Sequence, residues 1–422
     1  MRGKKLSIGL TAILGIFAVT SLVIEASAGT IKVLHEFNGK DGYQPNGVIF
    51  DASGNLYGTN TFGGAVTTCV NGVSFGCGTV FKLAPTGDGS WKETVLYIFG
   101  GNDADGAIWP GAPLRFDSAG NLYSTFEVGG TNGTGGVFEM SPTGNGGWNL
   151  TVIYSLSDEQ SGVGSYPSAP VIFDAAGNIY STVTGNQILG GIGSVFELTP
   201  IGGGSWTETT LLYFDRTDGL NPYDSVIFDA SGNLYGTAYQ TYQGDAYGGG
   251  TVFELTPIGG GSWAETTLYT FDKGGSESNP YDQGGLVFDS AANLYGTTQN
   301  GGYFGMGTVF ELSPAAGGSW TEKVLLSFNG NDGSGPTAGV TFDASGNLYG
   351  ETLSGGSDND GVVFKLSPAE AGRWTETILH SFNGMDGSGP WQGLIFDAAG
   401  NLYGTAQAGG KYGDGTVFEI TP

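Results

Sequence analysis

The chain has 422 residues, with 14 basic and 40 acidic side chains and a formal charge of −26. That balance excludes a nucleic-acid or anionic-lipid partner held by a basic surface. Gly is abundant at 80 residues without a triplet period, and 13% aromatic content excludes a disordered chain.

The first 28 residues read as an export leader. Arg2, Lys4 and Lys5 precede the apolar run Leu6–Ile24, and Ala26-Ser27-Ala28 is a small-x-small cleavage site. Removal of 1–28 leaves 29–422 as the mature chain. The expectation is a secreted, periplasmic or envelope protein with no stable membrane insertion after cleavage. Cys69 and Cys77 are its two cysteines, and in an exported protein so close a pair predicts a local disulfide.

From Phe50 onward one string dominates. "FDASGNLYGT" at Phe50–Thr59 returns at Phe228–Thr237 and, with changes, five more times. Its Asp falls at Asp51, Asp117, Asp174, Asp229, Asp289, Asp343 and Asp397. Each unit carries four short β-type runs; in the first they are "GVIFD", "NLYGTN", "GTVFKLAP" and "WKETVLYIF". Four antiparallel strands per unit of about 55 residues predict a propeller blade. The expected fold is all-β: a seven-bladed β-propeller. The seventh unit stops at "GTVFEITP", lacking its fourth run, and 29–37 ("GTIKVLHEF") matches that run. The N-terminal strand is therefore expected to complete the last blade and close the ring, which removes open sheet edges.

The repeated string reads as turn chemistry, since Asp and Asn bond nearby backbone and Gly takes positive φ. Spacing separates framework from variation. The Asp-to-Tyr interval and the third-strand Phe to fourth-strand Trp interval hold throughout, whereas the second hairpin and the inter-blade link change length. In an up-down blade those two variable connections share one face of the disc, where recognition is usually built.

The units "GGLVFDSAANLYGTTQNGGYFGMGTVFELSP" and "QGLIFDAAGNLYGTAQAGGKYGDGTVFEITP" resemble the GloVer-type bacterial tandem repeat, a choice-of-anchor repeat family, over 29–422. The resemblance implies a repeat-built exported protein and no particular activity. "FDASGNLY" is similar, more weakly, to NHL and gluconolactonase-like propellers, which include calcium-dependent hydrolases.

The links supply the candidate binding residues. Most set an aromatic ring near a Pro: Tyr43, Trp109, Tyr166, Tyr223, Tyr281 and Trp391. Rings gathered near the channel mouth on the variable face would bind sugar rings or apolar groups. His35 and His380 occupy slots that hold Tyr or Leu elsewhere, which reads as packing; no catalytic residue and no metal ligand is assigned. The Glu two residues after each fourth-strand Trp, as in Trp206-Thr207-Glu208, reads as surface patterning. Asp-Gly pairs at Asp41, Asp105, Asp218, Asp332 and Asp386 keep a calcium loop open as an alternative. The reading favoured is a non-catalytic propeller binding an extracellular glycan or protein. The alternatives are a calcium-dependent hydrolase or lyase at the channel, and a structural envelope protein.

Overall fold

The computed structural model describes residues 29–65, 69, 75–100, 106–157, 166–185, 192–215, 217–243, 246–247, 249–271, 277–278 and 285–422. The leader, Asp105 and Tyr281 lie outside them.

Seven four-stranded antiparallel sheets follow one another along the chain. Blade 1 is Tyr43–Phe50, Leu56–Phe62, Thr79–Pro85 and Trp91–Ile98. Blade 2 runs from Arg115–Phe116 to Trp148–Ser155, blade 3 from Ile172–Phe173 to Ser205–Tyr213. Blade 4 runs from Ile227–Phe228 to Ser262–Thr270, blade 5 from Val287–Phe288 to Trp320–Ser327, and blade 6 from Thr341–Phe342 to Trp374–Ser381. Blade 7 takes Ile395–Phe396, Leu402–Ala408 and Thr416–Thr421 from one end of the chain and Thr30–Glu36 from the other. That outer strand runs antiparallel to its neighbour in the register Thr30↔Thr421 through Glu36↔Thr416. The ring is closed as the repeat count requires.

The core lies between blades and follows from strand alternation. In the third strand of blade 1, Phe81 and Leu83 face blade 7 while Val80 faces blade 2. The strand-ending Phe of a blade meets the third-strand Phe of the next edge-on: Phe37 on Phe81 at 5.0 Å, Phe99 on Phe138 at 5.4 Å, Phe214 on Phe253 and Phe328 on Phe364 at 5.2 Å; blade 2 ends in Leu156 instead, which packs with Phe196. The Tyr of each "NLY" fills the outer part of the same gap, as Tyr57 does against Phe116 and Trp148 of blade 2. Each such aromatic pair adds about 0.5–1.5 kcal/mol beyond area burial. The fourth-strand tryptophans thus pack against the preceding blade.

The repeated Asp is spent on its own turn. Asp51 Oδ1 accepts from the backbone of Ser53 and Asn55 at 2.8 and 2.9 Å; Oδ2 accepts from the Asn55 amide at 2.6 Å and the Tyr57 hydroxyl at 3.1 Å. The other six units repeat this set. Burial acts to raise the Asp51 carboxyl, but these bonds outweigh it and hold it below its ordinary value. Burial and the Asp51 charge push the Tyr57 hydroxyl up. The Gly that follows, Gly58, is needed because a Cβ there would come within 2.5 Å of Phe81 Cζ and 2.6 Å of the Gly47 carbonyl.

A buried Thr one residue further on ties five of the blades to the next link. Thr59 donates to the Ala112 carbonyl at 3.0 Å, Thr125 to Ala169 at 3.1 Å, Thr182 to Asp224 at 2.7 Å and Thr297 to Ala338 at 3.0 Å. Blade 6 departs from this: Glu351 stands in the Thr position and its Oε1 accepts the Gly393 N–H at 2.7 Å.

Candidate functional site

Links and second hairpins share one face, as the spacing predicts; the Gly64 N–H, for instance, reaches the Gly39 carbonyl of the link entering blade 1 at 2.9 Å. Several of the described links are anchored in one way. The residue before the link Pro donates its N–H to the preceding blade's second hairpin: Trp109 to Cys77 O, Asn221 to Ile192 O and Gly335 to Met306 O, each at 2.9 Å. The Pro then packs over a hairpin Gly, where a Cβ on Gly78 would meet Pro110 Cδ at 2.5 Å. To make both contacts the pre-Pro residue turns left-handed. Its φ is 56° at Gln44, 60° at Trp109, 75° at Tyr166 and 57° at Asn221. Links into blades 6 and 7 place Gly335 and Gly389 there, at φ 63° and 64°.

Trp109 and Tyr166 therefore hold an aromatic side chain on a backbone that glycine adopts without strain. Around Trp109 the rings form a cluster: Phe62 lies 5.6 Å from Trp109, 5.9 Å from Tyr43 and 6.5 Å from Phe75. Phe75 is 68% exposed, and the Cys69–Cys77 disulfide fixes the hairpin that carries it. The Trp109 indole N–H is buried without a partner, and Glu127, pushed to about 7 by burial, receives no charged partner beside it. Tyr223 packs on Tyr239 at 5.7 Å. Trp391 is partly buried. Tyr166 is 44% exposed.

Other rings on this face were not singled out in the sequence. Tyr303 and Phe304, 85% and 53% exposed, stand on the second hairpin of blade 5, and Tyr412, 52% exposed, on that of blade 7. Their signal was present as aromatics inside Gly-rich hairpins of the variable-length connection.

The channel is a separate space. One cavity of about 260 Å³ is lined from all seven blades, by residues such as Val48, Ile172, Ile227, Val287, Val340 and Ile395. The link aromatics are not among its lining residues. At the position of Ile49, Ile172, Ile227, Val287, Thr341 and Ile395, blade 2 has Arg115. Asp224 and Gln392 also face this cavity.

The remaining polar groups take structural roles. His35 Nε2 lies 3.2 Å from Asp41 and His380 Nε2 3.0 Å from Asp386, each imidazole edge-on to Phe37 or Phe382. Burial pushes the His380 imidazole down while Asp386 pulls it back. The Asp-Gly carboxylates close their own loops: Asp332 accepts from the Asn329 backbone and amide, and Asp386 from those of Asn383. No group of three or more His, Cys, Asp or Glu fit to hold a metal occurs among the described residues. The Glu after the fourth-strand Trp is not surface patterning. Tyr154 donates across the blade gap to Glu208 at 3.2 Å, and Tyr269 to Glu322 at 3.1 Å. Burial pushes Glu93 to about 7 and Glu376 to about 8. The strand pleat aims this position at the neighbouring blade.

Seven blades around one channel, all built on a single Asp-turn hairpin, define a closed tandem-repeat β-propeller. The chain belongs to the Gloeobacter/Verrucomicrobia repeat family, whose sequence model matches residues 66–289 and 281–422. No curated protein sequence matches it. Among solved structures it is similar to PorZ, a bacterial surface component of the type-IX secretion system of Porphyromonas gingivalis, at 14% identity and a TM-score of 0.52. That match covers 92% of this chain and 48% of PorZ, so the chain spans about half the length of that protein. An ulvan lyase of a new polysaccharide lyase family is similar at 12% identity and a TM-score of 0.53, covering 90% of this chain and 94% of the lyase. At these identities the likeness is one of fold. No helix of the described residues is long and apolar enough to cross a membrane.

Proposed function

We propose that the protein is an exported binding propeller whose variable face takes a neutral extracellular glycan, with Tyr43, Trp109, Tyr166, Tyr223, Tyr281 and Trp391 as the link residues that contact it. The observation that carries this reading is the left-handed backbone at Trp109 and Tyr166. Glycine serves that position in two other links, so large aromatics there act against local preference, and strain of this kind collects where a side chain has work at a surface. The exposed Phe75, Tyr303, Phe304 and Tyr412 extend the aromatic area across the same face. Stacking on sugar faces needs no charge, which suits a chain with so negative a surface.

Export is part of the proposal. The disulfide favours an oxidising compartment, and the leader at 1–28 supplies the route. N-terminal sequencing of the protein made in a bacterial host is expected to begin at Gly29.

The deciding experiment is a glycan array with wild type and the Trp109→Ala/Trp391→Ala double variant, both checked for an unchanged melting profile in the fold's β signal. Binding by wild type that falls at least tenfold in the variant is expected. Equal binding by the two, or capture of proteins but of no glycan, removes this site assignment.

A further inference from the structure

A second site lies in the channel, independent of the aromatic face. One repeat position supplies Ile172, Ile227, Val287, Thr341 and Ile395 to the cavity wall, with Ile49 at the equivalent place in blade 1, and in blade 2 it is Arg115. The repeat does not ask for a cation here, because six blades close the same ring without one. Arg115 lines the cavity of about 260 Å³. Among the described residues its guanidinium has no hydrogen bond and no ion pair; the ion pairs are His35–Asp41, Lys323–Glu311 and His380–Asp386. Asp224, on the same cavity, acts on it only through space, and burial pushes the guanidinium toward its neutral form. A half-buried guanidinium with no hydrogen bond among the described residues leaves its donors unused, which is unfavourable. Its five donors in a planar fork match one chemical partner in particular, a carboxylate held by two parallel bonds.

We propose that the channel binds a small carboxylate through Arg115. Gly47, Gly285, Gly339 and Gly393, two residues earlier in their units, also line the cavity. A volume just under the roughly 300 Å³ lower end of small-molecule sites limits the ligand to about one sugar ring or less. The acidic surface selects further, since a doubly charged anion is repelled more strongly than a monocarboxylate.

Isothermal titration calorimetry tests this at fixed ionic strength, with sodium glucuronate as the probe, glucose as its uncharged counterpart and inorganic phosphate as the rival anion. Wild type is expected to bind glucuronate and not glucose. Arg115→Ile restores the residue of four other blades, so it is expected to fold with at least the wild-type melting temperature and to lose glucuronate binding by more than tenfold. Arg115→Lys, which keeps the charge and loses the fork, should retain less than a third of the affinity. No glucuronate binding by wild type, equal binding by Arg115→Ile, or preference for phosphate each overturns the proposal. None of these outcomes depends on the link aromatics, so this site and the variable face stand or fall separately.

Discussion

Glu351 replaces the Thr that ties one blade to the next, and it does so in a fully buried position. Oε1 accepts from Gly393, but Oε2 is buried with no partner. Burial pushes its carboxyl to about 8 from a reference of 4.5, against the pull of the Gly393 and Gln392 backbone N–H groups. The folded state therefore keeps a proton that the unfolded chain releases between those two values. Stability falls as pH rises across that window, and the full cost is present above it. The slope is about 1.4 kcal/mol per pH unit, so the step from pH 5 to pH 7 costs about 2–3 kcal/mol. With an unfolding entropy of about 2.1 cal/mol/K per residue, a chain of this length loses about 3 °C of melting temperature. Glu351→Gln keeps the shape and the acceptor but does not titrate. Differential scanning calorimetry of both proteins isolates the effect, because Glu93, Glu127 and Glu376 titrate in each and cancel in the difference. The expected result is a melting-temperature difference, wild type minus variant, that falls steadily from pH 5 to pH 8. A constant difference, or one that grows in favour of wild type, would mean that Glu351 is charged and compensated at neutral pH, and the burial reasoning would be wrong.

Other substitutions probe the ring itself. Thr59→Val removes the bond to the Ala112 carbonyl and should lower stability to urea by about 1–2 kcal/mol; no change would show that the tie is not needed. Gly58→Ala places a methyl against Phe81 and the Gly47 carbonyl, for an expected loss of about 2–3 kcal/mol. Gly54→Ala, at φ 79° with open space around it, should cost only about 1–2 kcal/mol. Denaturant titrations that reverse this order would refute the close-approach argument. Deleting Thr30–Glu36 bares the edge Thr416–Thr421. The truncated chain should elute as dimers or aggregates in size exclusion, and a monomer melting like wild type would contradict closure by that strand.

The aromatic links show where sequence reasoning stops. A residue before Pro is normally extended, so Trp109-Pro110 and Tyr166-Pro167 read as extended dipeptides with a ring beside them. Their left-handed φ comes from contact with the previous blade, through the Cys77 carbonyl at Trp109. The hint was Gly335-Pro336 and Gly389-Pro390 at the same place in other links. Arg115 was equally visible as the one cation in a column of Ile, Val and Thr, but that its guanidinium has no hydrogen bond among the described residues is a fact about seven blades at once. The exchange of Thr for Glu351 looked like ordinary variation in "LYGT" until the position proved to be buried against the next link.

What the amino-acid order decided by itself was the part governed by short range and repetition. The Asp–Asn–Tyr turn closes within seven residues, strand alternation sorts Val80 from Phe81, and the missing fourth run of the last unit names the strand that fills it. Tertiary structure decided everything that depends on residues of different blades meeting: the Tyr154–Glu208 bridge, the burial that protonates Glu351, the cluster around Trp109, and the bore into which Arg115 points. Local bonds form among neighbours in the chain whatever the ring does, whereas burial and unpaired charge exist only once seven separate segments have excluded water from one space.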